Sequence, residues 1–165
     1  MALKGDRYEG TTDVSFFMND ASAAKGGIAV LSTVGSGVAL DQSKALVTYA
    51  ETASGNVPVG LLLNDMVNID QTRQHINFHK NEVQKGGKVT LLTQGWVVTN
   101  MIDGAATAGA PAYLTDEGKL TATQSATGGV VATPPVGRFL SSKDEDDYAK
   151  VAINLPALPN NDNGI

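Results

Sequence analysis

From Asn81 to Met101 the chain reads NEVQKGGKVTLLTQGWVVTNM, a turn followed by a long run of alternating apolar and polar positions. Lys85-Gly86-Gly87 supplies the positive φ of a tight turn, and Val89 and Leu91 then alternate with Lys88 and Thr90, which predicts a strand. Gly95 interrupts that strand just before Trp96-Val97-Val98. A glycine at such a place marks a bulge or a barrel-corner bend, from which the strand resumes with its faces re-aimed.

Upstream, Gly26-Gly27 opens a strand at Ile28 to Leu31, Val34 to Gly37 turns, and Val38 and Leu40 alternate onward, which is a hairpin pattern. Asp41 to Ala53 fits two readings, a helix capped by Asp41 or a strand in which Leu46, Thr48 and Ala50 alternate with Val47 and Tyr49. The β-branched and aromatic residues favour the strand. Pro58 marks an edge position or the start of a strand running to Leu63. Asn64 or Asp65 then caps a turn and a short helical piece reaching Arg73. Downstream, Asp103 to Ala110 is a loop of small residues. Ala112 to Thr115, Asp116-Glu117-Gly118 and Lys119 to Thr121 then spell a hairpin, with Gly118 at the position that wants a left-handed backbone. Thr123 to Thr133 is a loop, and Val136 to Leu140 returns to strand. After the charged turn Lys143 to Asp147, Val151, Ile153 and Leu155 alternate with Lys150, Ala152 and Asn154, giving one buried and one wet face.

Residues 1–20 are polar and contain glycines up to Val14, then carry Phe16, Phe17 and Met18 together. They fit either an ordinary first strand or an arm that orders on a partner. The expected organisation is an N-terminal arm (1–20), a single β-rich domain (21–155) and an extended tail (156–165). An internal echo sets Leu31 to Gly35 beside Leu114 to Gly118, and Val57 to Gly60 beside Pro134 to Gly137. It suggests two related units, 21–64 and 104–155, around a central strand at 81–101.

Composition narrows the picture. A chain of 165 residues with 5% aromatics and 18 glycines must build its core from Val, Leu, Ile and Ala in short elements, which favours a mainly β barrel or sandwich. A net charge of −5 without a lysine or arginine cluster argues against nucleic acid as a partner. The absence of cysteine removes disulfides and thiolate metal sites. The first residues, MALKGDRYEG, lack the apolar stretch of a signal peptide, and no apolar run approaches the length of a membrane span, so neither export by that route nor a membrane partner is expected.

The candidate chemistry is sparse. His75 and His79 have the i, i+4 spacing of a helical metal pair, but Ile76 and Phe78 alternate with Asn77, and in a strand the two imidazoles stand roughly 13 Å apart. Asp144, Asp146 and Asp147 lack the spaced ligands and glycine of a calcium loop. Gly35-Ser36-Gly37 and Gly86-Gly87-Lys88 are too short for a phosphate loop, and no serine sits in a nucleophile elbow. No catalytic residue, metal or cofactor is expected. Trp96, the single tryptophan, is either a core residue at the bend or an anchor in a subunit interface.

Several of these segments resemble a known family. Asn81 to Leu91 (NEVQKGGKVTL), Gly109 to Leu114 with Gly118-Lys119-Leu120, Pro135 to Leu140 (PVGRFL) and Val151 to Leu155 (VAINL) are similar, in order and spacing, to the capsid cement or head decoration proteins of tailed bacteriophages. The likeness covers about residues 81–155. It implies a tulip- or barrel-like β fold, no enzymatic activity, synthesis in the host cytoplasm, and a homotrimer on the outer surface of the expanded capsid that clamps neighbouring major capsid subunits. With it, the first residues become a capsid-binding arm bearing Tyr8, Val14, Phe16 and Phe17, and Trp96 a subunit-interface candidate. A tail, baseplate or head-fibre component and a carbohydrate-binding β-domain are the competing expectations, and Trp96 with four tyrosines is a thin aromatic supply for the latter.

Overall fold

A computed structural model describes residues 2–32, 45–65, 82–124 and 133–155. Among these residues the chain is mainly β, as expected, and no α-helix forms. The strands are β1 (Leu3–Asp13), β2 (Phe17–Met18), β3 (Ser22–Ala24), β4 (Ile28–Leu31), β5 (Leu46–Thr48), β6 (Pro58–Asp65), β7 (Glu82–Gln84), β8 (Val89–Thr99), β9 (Pro111–Leu114), β10 (Leu120–Thr121), β11 (Pro135–Phe139) and β12 (Ala149–Asn154).

Everything is hung on β8. Along one edge it pairs with β1, from Asp13 opposite Leu91 to Leu3 opposite Thr99. The other edge is divided: residues 89–92 take β6 and residues 94–99 take β12, both antiparallel. The Leu155 N–H fills the gap between them by donating to Thr93 O at 2.7 Å. From β6 the sheet continues through β4 and β5 to β2, and from β12 through β11 and β9 to β10. Both ends return towards β8. Met18 N–H donates to Gly87 O (2.9 Å) and Gly86 N–H to Met18 O (2.8 Å), while Leu120 N–H donates to Met101 O (2.9 Å). A separate two-stranded piece joins β3 to β7.

The turn at Lys85 to Gly87 forms as expected, with Gly86 in the left-handed region at φ 84°. Gly95 does what a corner glycine should. Val89 and Leu91 lie in one hydrophobic core, and Leu92 lies in the other, as strict alternation requires. Val97, five residues beyond Leu92, lies in the same core as Leu92, although residues an odd number apart in a regular strand face opposite ways. The phase therefore slips by one between Leu92 and Val97. Gly95, at φ 154°, sits within that interval, and β1 carries its own irregularity opposite, where Glu9 pairs with Gly95 and Thr11 with Gln94.

The two cores share a wall. Ile28 and Val30 of β4 and Leu61 and Leu63 of β6 face the larger core, and Ala29 and Leu62 between them face the smaller one. A strand buried on both faces needs apolar residues at every position, which accounts for the unbroken Leu61-Leu62-Leu63. The larger core is completed by Phe139, Val151 and Ile153, which come from β11 and β12.

Other expectations can be compared directly. β5 is a strand at Leu46–Thr48, and β6 starts at Pro58. The hairpin of β9 and β10 closes through a 3₁₀ turn with Gly118 at φ 74°. Asn64 and Asp65 are the last residues of β6, paired with Thr90 and Val89 along the edge of the long β8, and the helical piece expected after them lies outside the described residues. The expected turn at Val34 to Gly37, the stretch after Asp65, His75 and His79, most of the loop after Thr123 and the tail lie outside the described residues.

Tyr49 ties the β3–β4 turn to β5. Its hydroxyl donates to Ala24 O and accepts from Gly27 N–H (3.2 Å). Its own N–H donates to Asp20 Oδ2 (2.6 Å), whose Oδ1 accepts from the Thr48 hydroxyl. Burial pushes the phenol well above its ordinary value; the Gly27 N–H opposes this and the nearby Asp20 carboxylate adds to it.

Two predictions follow from these contacts. An added Cβ at Gly95 would come within 2.0 Å of Tyr8 O, whereas at Gly104, also left-handed, it would meet nothing within 4 Å. Gly95→Ala is expected to cost at least about 3 kcal/mol and Gly104→Ala about 1 kcal/mol, read by urea denaturation. Because the Tyr49 pKa is raised on folding, the unfolded chain releases the proton first. Stability is therefore fully present below the ordinary phenol range and declines as pH rises through and above it. Tyr49→Phe should cost about 1–2 kcal/mol at neutral pH and remove that component of the alkaline loss.

Candidate interaction face

In an antiparallel sheet, residues directly opposite each other share a face. Reading across five strands at the level of Trp96 gives one such row. Tyr8 of β1 is paired with Trp96 of β8, Trp96 with Ala152 of β12, Ala152 with Arg138 of β11, and Arg138 with Pro111 of β9. Their neighbours Val97, Val151 and Ile153 point into the larger core, so this row lies on the outside. Tyr8 is 59% exposed, Arg138 and Pro111 are exposed, and Trp96 and Ala152 are half-buried.

A second row runs beside the first. Lys150 of β12 is paired with Val98 of β8, and Leu140, 46% exposed, donates its N–H to Lys150 O at 2.7 Å. The Lys150 ammonium reaches back over Trp96, with Nζ 3.6 Å from the ring centroid, a cation–π contact that holds the indole against the sheet. The face thus combines two aromatics, one exposed leucine and two cations. No carboxylate occupies any of these paired positions.

The site residues expected from sequence fall into two places. Tyr8 and Trp96 come together as a cross-strand pair, and Trp96 is outside the core because the phase slip at Gly95 turns Val97 inward in its place. Val14 is 41% exposed, just beyond β1. Phe16 and Phe17 are elsewhere and are engaged by the fold. Phe16 packs against the smaller core and its carbonyl accepts from Val89 N–H (3.0 Å), while Phe17 lies beside Lys88, with Nζ 5.8 Å from its ring centroid. Arg138, Leu140 and Lys150 were not singled out from the sequence. Lys150 belongs to the wet face expected for the last strand, whereas for Val136 to Leu140 a strand was expected without an assignment of its faces, although Val136 and Phe139 are buried and Arg138 and Leu140 exposed.

Residues 3–13 form a strand on β8, one of the two readings of the N-terminal segment. It is an unusual strand. Between Leu3, which plugs the larger core, and Asp13, nearly every residue is exposed. Backbone pairing therefore carries most of its attachment, helped at its start by two contacts. The Thr99 hydroxyl lies within 3.0 Å of both Ala2 O and Gly26 O. Lys4 Nζ lies 3.4 Å from Asp144 Oδ2 and 4.1 Å from the centroid of the Tyr148 ring. β8 is the only strand paired with β1 among the described residues, so its other edge is free of sheet partners there.

The charged turn after β11 is organised by one of its own carboxylates. Asp144 Oδ1 accepts from Tyr148 N–H (2.8 Å) and Asp146 N–H (3.0 Å). The Tyr148 N–H is the main cause of a pKa held below the ordinary value for aspartate; desolvation opposes it, and the Asp146 N–H and Lys4 add to it. Among the described residues no group of three or more His, Cys, Asp or Glu side chains is placed to hold a metal ion, and no helix is long and apolar enough to cross a membrane. A surface depression of about 310 Å³ is lined by Asp20, Ala21, Tyr49, Glu51 and Glu117, but both Asp20 oxygens already serve Thr48 and Tyr49.

Comparison with known proteins decides the family. Residues 3–154 match the family described as structural cement protein (E217 gp24/Pam3 gp6), which is nearly the whole chain. The chain belongs to this family. No curated protein matches it. As a cement protein it is a structural, non-enzymatic component of a bacteriophage virion and is associated with the capsid.

The lowered pKa of Asp144 means that the contribution of this turn is complete above the ordinary carboxylate range and is lost as pH falls through the folded-state value. Asp144→Ala should speed amide hydrogen exchange at Asp146 and Tyr148 and at the start of β1. Unchanged exchange at these sites would show that the carboxylate does not organise the turn.

Proposed function

We propose that this cement protein binds the outer surface of the expanded capsid as a homotrimer and stabilises it by clamping neighbouring major capsid subunits. The observation that carries the reading is β1: an 11-residue strand with nearly all its side chains beyond Leu3 in solvent and, among the described residues, no sheet partner on its outer edge, in a chain of the cement family. An edge of this kind can accept a strand from a neighbouring protein, with main-chain hydrogen bonds giving affinity and flanking side chains giving specificity. Tyr8 and Val14 are the side chains available for that contact. Phe16 and Phe17 were also assigned to it from sequence; Phe16 serves it by fixing the chain just after β1 to the smaller core, and Phe17 lies beside Lys88. Three copies acting together multiply weak contacts into tight attachment without a deep pocket.

Synthesis in the host cytoplasm, followed by addition to the finished shell, fits a chain without cysteine. The test is co-sedimentation of the purified chain with two shells lacking it, the unexpanded precursor and the expanded head. Saturable pelleting with expanded heads alone is expected, and deletion of residues 1–12 should abolish it. Tyr8→Ala, which leaves the backbone of β1 in place, should weaken pelleting roughly tenfold. Pelleting with neither shell would refute capsid binding, and unchanged pelleting after the deletion would refute the role of β1.

A further inference from the structure

The face built on Trp96 has its electrostatic complement in the same chain. Arg138 and Lys150 stand diagonally across adjacent strands, within reach of one acidic group, on a molecule whose net charge is −5. At the end of the same hairpin, Asp144, Glu145, Asp146 and Asp147 form an exposed acidic turn. Asp144 is occupied by the turn and by Lys4, and Asp147 by Lys143 at 3.5 Å. Glu145 and Asp146 form no ion pair among the described residues.

We infer that the acidic turn of one copy, through Glu145 and Asp146, docks on the Trp96–Lys150–Arg138 face of the next. This rests on the homo-oligomer reading above and names its interface. Two copies of like net charge repel at long range, so a contact between them must bring opposite local charges together, and this turn and this face do so. The turn and the face are different patches, and in the trimer of the reading above they meet head-to-tail. Such contacts repeat around a ring when the rotation closes, and a trimer uses this one three times. Trp96 and Leu140 supply the apolar centre, which the cations and the turn surround. The free edge of β1 remains available for the shell.

The experiment is a charge swap read by sedimentation velocity on the full chain, with circular dichroism to confirm folding. Arg138→Glu with Lys150→Glu, and separately Glu145→Lys with Asp146→Lys, should each raise the dissociation constant of the oligomer tenfold or more. Combining all four substitutions should restore assembly, because the swapped turn again meets a complementary face. Oligomers unaffected by either pair, or lost in both and not restored by the combination, would overturn the inference while leaving the homo-oligomer intact. A wild-type chain that is monomeric at every concentration would instead overturn the homo-oligomer reading itself. Trp96 provides a second readout on the unmodified protein. As the only tryptophan, its emission should shift to the red when the oligomer is diluted apart, and an emission unchanged across dissociation would equally contradict the inference.

Discussion

The change of face in β8 at Gly95 is the constraint on which the rest of the structure depends. A regular strand through this position would keep Leu92 and Val97 on opposite sides, and the two halves of the sheet could not close over one core. The slip of one residue lets the first half of β8 wall off the smaller core with Val89 and Leu91 while the second half adds Val97 to the larger one. The close approach of Tyr8 O makes glycine obligatory at the slip, so β1 and the bend are selected together. This single feature also fixes the outer surface, because turning Val97 inward turns Trp96 outward.

From that point the outer face is a matter of register. Once Trp96 faces out, its partners Tyr8 and Ala152 must do so as well, and Arg138 and Pro111 follow across the next two strands. Lys150 then stacks on the indole from two residues along β12. Such a surface suits a structural cement protein. It is broad and shallow, its paired outer positions carry Arg138 and Lys150 without a carboxylate, and its most exposed strand is attached chiefly through its backbone. A virion component of this kind needs area and valency more than it needs a pocket.

The elements readable from the sequence were those whose determinants are local. Gly118 at a left-handed turn position, Pro58 at a strand start and the alternation of Val151 and Ile153 each express a constraint within a few residues, and each appears where the pattern placed it. What was not readable depends on partners distant in the chain. The extension of β6 through Asn64 and Asp65 depends on the edge that β8 offers them. The exposed polar run of β1 carries no alternation, because Leu3 is its only residue in the larger core and backbone pairing does most of the holding. Trp96 in isolation favours a core role over an interface, and only the phase of β8 on either side of Gly95, compared with the pairing of β12, places it outside the core. The family likeness was legible over the second half, where β8, β9, β11 and β12 lie, and the match extends it to residues 3–154.

Reinforcement of the phage head is tested by the temperature at which filled, expanded heads release their DNA, compared between heads carrying the chain and heads from which it is missing. Release at a distinctly higher temperature is expected when the chain is present, with a return to that temperature when purified chain is added back. Identical release temperatures for the two kinds of head would contradict it.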